Sequence, residues 1–493
     1  MNDLYRPAFH FTPPSMWLND PNGLVYYAGE YHLFYQYHPH STVWGPMHWG
    51  HAVSKDLVTW EHLPIALYPD EHGLIFSGSA VIDWKNTAGF GKEAMVAIFT
   101  YNNHTYDDIK RVEDQNIAYS TDRGRTWTKY AGNPVVPHPG NLTDFRDPKV
   151  FWHVDHWAMA LAAGDRVLFY ISPDLKQWEP SGFFGGGFGS TDGVWETPDL
   201  FQLPVSGSDS RWVLTVGVGS GAYAGGSGTQ YFVGDFDGKT FTSENPKETI
   251  LWMDHGPDFY APQSWNDEPH GRRISIAWMS NWSYAREVPS TDWRGAFSLP
   301  RELTLAQTAH GIRLRQTPVV ELKALHCSTL QWLDRKILPG TNLLAELQKD
   351  TFEIVAEFQV DSPAEMFGFN VRKSSTQQTT IAYKPKTQEL IVDRRDSGQA
   401  DFKDGFAANY SVPLQPEDGC IRLHIFVDRC SVEVFANDGL AAISALIFPA
   451  EEQLGLEVFS SGGTVTLNVL TVYKLQPVSS QVDDLNSEAK ATL

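Results

Sequence analysis

Three acidic residues stand in dense, rigid motifs. Asp20 lies in Trp17-Leu-Asn-Asp-Pro-Asn-Gly23, Asp147 in Phe145-Arg-Asp-Pro148 and Glu196 in Trp195-Glu-Thr-Pro-Asp-Leu-Phe201. The proline after Asp20 restricts the backbone and can aim the acid into a cavity, although Asn-Asp-Pro-Asn-Gly is equally a good turn sequence. Arg146 stabilises the charged form of its neighbour Asp147, in a catalytic centre or in a structural ion pair. Glu196 sits between an aromatic and an apolar run. That setting raises a carboxyl pKa by desolvation and suits a general acid, unless the residue is an exposed glutamate at a sheet edge. No Walker loop, dinucleotide fingerprint, HExxH helix or Gly-x-Ser-x-Gly elbow occurs in a credible context, and Gly185-Gly-Gly-Phe-Gly189 precedes no helix that could receive a phosphate. The chemistry expected is that of carboxyl groups, with no cofactor and no metal.

The elements that must position these acids are strands. Before residue 315 the chain has almost no helical periodicity, only short apolar or alternating runs such as Gly-Leu-Val-Tyr-Tyr (23–27) and Trp-Val-Leu-Thr-Val-Gly-Val (212–218). A turn followed by a large aromatic recurs, ending at Trp60, Trp127, Trp178 and, more loosely, Phe241, at spacings of 67, 51 and 63 residues. All-β units at this interval predict a propeller of four-stranded blades, with room for five. Ser77, Asp147, Glu196 and Asp258 follow these markers by 17, 20, 18 and 17 residues. A shared register of this kind predicts polar groups converging on the propeller axis. Alternating strands return from about Thr351, and Asn437-Asp-Gly439 signals a hairpin, which suits a β-sandwich. The expected organisation is a propeller over 1–315, a linker over 316–345, a sandwich over 346–476 and a disordered tail over 477–493.

Composition narrows the partners. The 493 residues carry 38 Lys and Arg against 59 Asp and Glu, a net charge of −21, with no basic run longer than two residues. This disfavours nucleic acid and anionic membrane surfaces, and no apolar run is long enough to span a bilayer. The N-terminus lacks the apolar segment of a secretory signal, so a cytoplasmic location is expected unless a leader has been removed. Cys327, Cys420 and Cys430 are too few for a disulfide framework. Seventeen Trp among 64 aromatics supply core packing and, for a minority, platforms for sugar rings.

Taken in order, the motifs resemble glycoside hydrolase family 32, the invertases, inulinases and levanases that cleave β-fructofuranosides. The resemblance runs from Trp17 to about residue 473. It is carried by the three acidic motifs together with Phe34-Tyr-Gln36, Trp44-Gly, Trp49-Gly-His51, Phe76-Ser-Gly-Ser79, Asp254-His-Gly256, Phe259-Tyr-Ala261, Trp278-Met-Ser-Asn-Trp282, Arg294-Gly-Ala-Phe-Ser-Leu-Pro-Arg301 and Ser431-Val-Glu-Val-Phe435. It implies a five-bladed propeller followed by a sandwich, with Asp20 as nucleophile, Glu196 as acid/base and Asp147 as transition-state stabiliser. Asn19, Gln36, Trp44, Phe76, Ser77, Arg146 and Asp254 would bind the terminal fructose, with Trp17, Trp278 and Trp282 as hydrophobic walls. Thr197 stands where the family usually has Cys, and Pro257-Asp258 where some relatives have Lys. The activity implied is exo-hydrolysis of levan, inulin or their oligomers, and of sucrose, by a retaining mechanism. Restricted sucrose hydrolysis, fructosyl transfer and noncatalytic sugar binding are the alternatives. A homodimer, if formed, is expected to use sandwich edges.

Overall fold

The structure, a computed structural model, describes residues 4–103, 112–206, 209–361 and 363–478. It is all-β apart from one 3-10 turn, Val320–Leu325. The first part of the chain forms five antiparallel sheets in sequence order, whose first strands are Met16–Tyr27, Leu74–Asp83, Arg146–His153, Trp195–Ser206 and Tyr260–Ser264. Each of these strands packs against the next, and the fifth packs back against the first, so the five form a closed ring. A late segment, Trp293–Arg294, pairs in parallel with Met16 and Trp17 and ties the end of the ring to its beginning.

Local sequence dictates these sheets. Ala28 and Gly29, both at positive φ, make the tight turn joining the first two strands. The aromatic markers occupy equivalent outer turns, each organised by one aspartate. Asp56 Oδ1 accepts from the N–H of Val58 and Thr59, Asp174 Oδ1 from Lys176 and Gln177, and Asp237 Oδ1 from Lys239 and Thr240. The sequence repeat is therefore a repeat of structure.

Each inner strand breaks register near its start: between Leu18 and Pro21, Ile75 and Gly78, Glu196 and Asp199, and Tyr260 and Gln263, and in the third sheet opposite Ala160 and Ala162. Prolines 21, 148, 198 and 262 sit in four of these bulges. Proline has no N–H for the ladder, and a bulge bends the strand and re-aims its side chains. The residues before three of them, Asp147, Thr197 and Ala261, have φ of 67°, 47° and 52°. Left-handed backbone at non-glycine residues is strained, and these three positions place some of it beside Asp147 and Glu196.

The second part comprises a six-stranded sheet, from His326–Ile337 at one edge to Ala441–Leu446 at the other, and a five-stranded sheet from Asn409–Pro413 to Gly455–Ser461. The two share one apolar core that includes Ile354, Phe358, Phe369, Ile381, Val434 and Val472. The hairpin at Asn437-Asp-Gly439 is present. The linker expected over 316–345 is shorter. Gly311–Pro318 completes the fifth sheet, and His326–Ile337 is a full edge strand paired with Val465–Leu475. Its outward residues are polar or exposed on both faces, which hides the alternation that marks a half-buried strand. Of the expected tail, residues 479–493 lie outside the described residues, and the N–H of Val478 donates to the carbonyl of Ala8 at 2.9 Å.

Two buried ionic clusters join the parts. Arg301 donates to Asp254 (3.0 Å), Gln316 (3.1 Å), Glu433 (2.6 Å) and Ser444 (2.6 Å), and His10 bridges Asp428 (2.7 Å) and Glu433 (2.9 Å). Arg394 donates to Asp258 at 2.9 Å, which also receives Tyr284 Oη at 2.6 Å.

Candidate active site

The starts of the inner strands surround a cavity of about 290 Å3 lined by Asn19, Asp20, Gln36, Trp44, Phe76, Ser77, Arg146, Asp147, Glu196, Trp282 and Arg286. Ten of these eleven are residues singled out in the sequence. All three expected acids are among them. Arg286, from the loop after the fifth sheet's second strand, is the addition, and no motif or register pointed to it.

Asp20 is buried, with Oδ1 accepting from Asn19 Nδ2 at 3.1 Å and Oδ2 from Ser77 Oγ at 3.0 Å. Asn19 is held in turn by Trp17 Nε1, which donates to its Oδ1 at 2.8 Å. Burial, and then the charge of Glu196, raise the Asp20 pKa to about 6; the two hydrogen bonds oppose the rise without cancelling it. Asp147 is pushed well above the ordinary carboxyl range by burial. Arg146 opposes this, while Glu196 and Asp20 add to it. Its Oδ2 accepts from the N–H of Thr197 at 2.9 Å, and its own N–H donates to Thr100 Oγ1 at 3.0 Å.

Glu196 differs from the apolar enclosure expected of it. Its side chain is 22% exposed, Oε1 accepts from Arg146 Nη2 at 2.8 Å, and Oε2 accepts from the Tyr260 hydroxyl. The aromatic and apolar neighbours in its motif, Trp195, Leu200 and Phe201, point into the packing between sheets, because neighbouring strand residues face opposite ways. Arg146 is the electrostatic hub of the cavity. Burial disfavours its charge, but Glu196, Glu113, Asp147 and Asp144 outweigh that and hold it cationic. Asp144 is 2.6 Å and Glu113 3.1 Å from Nη1.

Three expected binding residues are elsewhere. Trp17 and Trp278 are fully buried behind Trp282, the first stacked and the second tilted against it, with ring centroids 6.1 and 4.7 Å away, so Trp282 alone of the three faces the cavity. Asp254 lies in the Arg301 cluster, where its carboxylate also accepts from the Ser444 N–H and Oγ, both at 2.8 Å. Its motif is an interface motif: a Cβ on Gly256 would come within 2.1 Å of the Ser444 carbonyl oxygen. Asp258, fourth in the register, faces Arg394 instead of the axis. Tyr260 takes the axial place. Its alignment is visible once the prolines are superposed, since Tyr260-Ala-Pro262 matches Asn19-Asp-Pro21, Arg146-Asp-Pro148 and Glu196-Thr-Pro198.

The N-terminal domain of glycosyl hydrolases family 32 matches residues 10–318, and the C-terminal domain of the same family matches residues 321–474. The chain is 54% identical over 486 residues to a levanase of Bacillus subtilis strain 168, covering 96% of this chain and 71% of that protein. It is 38% identical to an extracellular exo-inulinase of Aspergillus awamori, covering 96% and 94%. The crystal structure of the exo-inulinase from Aspergillus awamori superposes with a TM-score of 0.90 over 96% of this chain and 99% of that one. A fructofuranosidase from Schwanniomyces occidentalis, complexed with fructosylnystose, superposes with a TM-score of 0.87 at 31% identity, covering 96% and 98%. With its three acids gathered in one cavity and both domains matched, the chain belongs to glycosyl hydrolases family 32.

Proposed function

We propose that this chain releases terminal β-D-fructofuranosyl residues from levan- or inulin-type fructans, their oligomers and sucrose, and that its five sheets are the blades of a propeller whose axial cavity is the active site. The observation that carries this reading is the convergence of Asp20, Asp147 and Glu196 in a cavity sized for a sugar ring or two and lined by Arg146, Trp44 and Trp282. The Asp20 carboxylate attacks the anomeric carbon of the fructosyl unit, forming an ester. The glycosidic C–O bond breaks, and the leaving oxygen takes the proton of the Glu196 carboxyl. Glu196, now a carboxylate, removes a proton from water, whose oxygen displaces Asp20 and frees fructose. Asp147, fixed by two backbone-linked hydrogen bonds, holds sugar hydroxyls without attacking. Relatives named levanase and exo-inulinase support the fructan assignment over one limited to sucrose.

A timed product profile with sucrose, short inulin-type oligomers and levan tests this reading. Fructose as the sole early product from fructans is expected. Cleavage of sucrose alone would make the protein an invertase, and oligomeric products would make it an endo-enzyme or a transferase. Substrate also sets location, since a polymer is met outside the cell and a cytoplasmic enzyme meets imported short saccharides. For assembly, the outer edge strand His326–Ile337, with Leu330 and Leu333 exposed, is the sandwich edge through which we would have two copies meet. A monomeric mass at assay concentration would remove that last element.

A further inference from the structure

A second cavity of the described structure is larger than the one holding the acids. It measures about 400 Å3 and is lined by residues near the opposite ends of the same inner strands. Ser77 and Ile82 share one strand, Asp147 and Trp152 another, Glu196 and Phe201 a third. Five residues of extended chain separate the two cavities by about 17 Å. The axis between them is filled. Lys149 Nζ lies 3.1 Å from Asp199 Oδ1 and donates to the Ser264 carbonyl at 2.8 Å, while the Ser264 N–H donates to Asp199 Oδ2 at 2.7 Å. The far cavity is a separate chamber.

Its wall combines aromatic faces with hydrogen-bonding groups. Trp84 is 53% exposed, with Nε1 fixed on Asp267 Oδ1 at 3.0 Å and its ring edge-on to Tyr27 at 5.7 Å. The turn carrying it is rigid. Asp83 Oδ1 accepts from Thr87 N (2.9 Å) and Oγ1 (3.1 Å), its Oδ2 accepts from Ala88 N (2.8 Å), and Trp157 Nε1 donates to Thr87 Oγ1 at 2.9 Å. Arg273 commits Nη1 to Ser264 Oγ and the Trp265 carbonyl, and forms no ion pair among the described residues. Gln202 is a further wall group. A flat exposed indole beside a guanidinium, an amide and a carboxylate suits a sugar. The C–H face of the ring stacks on the indole, and the hydroxyls both donate and accept. A net charge of −21 disfavours an anion in the same place.

We propose that this chamber is a noncatalytic saccharide-binding site, with Trp84 as its platform, that holds a stretch of fructan remote from the bond being cut. The proposal rests on the fructan reading above. A second foothold raises the effective concentration of a polymer at the active site but does nothing for a substrate too small to reach both.

The test uses the full chain with Trp84→Ala and, as the conservative variant, Trp84→Phe. For levan or inulin, Trp84→Ala should raise KM by about three- to tenfold with kcat unchanged, and Trp84→Phe should recover most of it. Both constants for sucrose should stay at the parent value. Binding is read separately by retardation in levan-containing gels, with Glu196→Gln as the inactive parent and Trp84→Ala added to it. Loss of retardation on adding Trp84→Ala supports the site even if the parent enzyme cleaves only sucrose, in which case the fructan activity alone has failed. Unchanged retardation and polymer KM, or parallel losses on polymer and sucrose, would overturn the proposal.

Discussion

Two groups of buried carboxyls lie at opposite extremes of pairing. At the interface between the two parts, burial pushes Asp428 and Glu433 upward, yet His10 and Arg301 outweigh it and both end below the ordinary carboxyl range. In the axial cavity, burial pushes Asp20 to about 6 and Asp147 well above the ordinary carboxyl range, and neighbouring acids add to the rise. Asp428 and Glu433 are matched by cations and hold structure together, whereas Asp258, on Arg394, is still raised by its burial. In the cavity, Arg146 is shared among Glu196, Glu113 and Asp144, and Arg286 is the other guanidinium in its lining. Asp20 and Asp147 thus differ from Asp428 and Glu433 in how far neighbouring cations offset burial. Asp20 and Asp147 are perturbed inside a cavity, the setting in which shifted carboxyls cluster at functional sites.

The largest effect should come from breaking the cavity. Asp20→Ala and Glu196→Ala are each expected to lower kcat/KM by about 10³-fold or more, measured with sucrose and with fructan. Stability should move the other way for the isosteric variant. Asp20→Asn removes a charge that burial opposes, so at pH 7 the unfolding free energy should rise by about 1–2 kcal/mol in a denaturant titration. A lower value would mean that the cavity carboxyls are paired after all.

The interface should respond in the reverse sense. Arg301→Met leaves Asp254 and Glu433 without their shared cation and should cost about 3–5 kcal/mol. Folded molecules should keep an unaltered KM, because Asp254 does not line the cavity. A raised KM with full stability would return Asp254 to substrate binding.

How much of this was legible in the sequence follows from the same contrast. The acids were readable because each stands within two residues of a proline, and Asp147 also beside an arginine, whose effects on the backbone or the charge are local. The interface was not, since Asp254 and Asp258 acquire their partners from Arg301, Ser444 and Arg394, residues 47 to 190 positions away that no local rule connects. Counting from the outer turns put Asp258 on the axis in place of Tyr260, because loop lengths differ between sheets while the bulge prolines keep register. The buried faces of Trp17 and Trp278 were equally hidden: a tryptophan in a binding motif reads the same whether it touches the ligand or supports the one that does.

Titration separates the two groups further. Asp20 must be ionised to attack, so kcat/KM should fall about tenfold per unit as pH drops below about 6. His10 gives the interface the opposite dependence. Burial alone would depress its pKa, but hydrogen bonds from its ring to Asp428 and Glu433 win and hold it at about 9. A histidine raised in the folded state contributes its full stabilisation below its unfolded value near 6.5, and loses it as pH rises through about 9. The melting temperature should therefore decline between pH 6.5 and 9, and His10→Gln should flatten that decline. A decline that persists in the variant would assign it to another group.

The smallest effect concerns Thr197, whose hydroxyl is buried without a partner among the described residues and whose β-branched side chain sits at a φ of 47°. Both features cost stability. Thr197→Cys replaces the hydroxyl by a weakly polar thiol and removes the branch, so it should raise the unfolding free energy by about 0.5–1.5 kcal/mol. The contact Thr197 makes with Asp147 runs through its backbone N–H, which the substitution keeps. Activity should then stay within about twofold and the acid limb of the pH profile should not move. A shifted limb would mean that the hydroxyl itself acts on the carboxyls, and that even an unpaired side chain is part of how the cavity holds its charge.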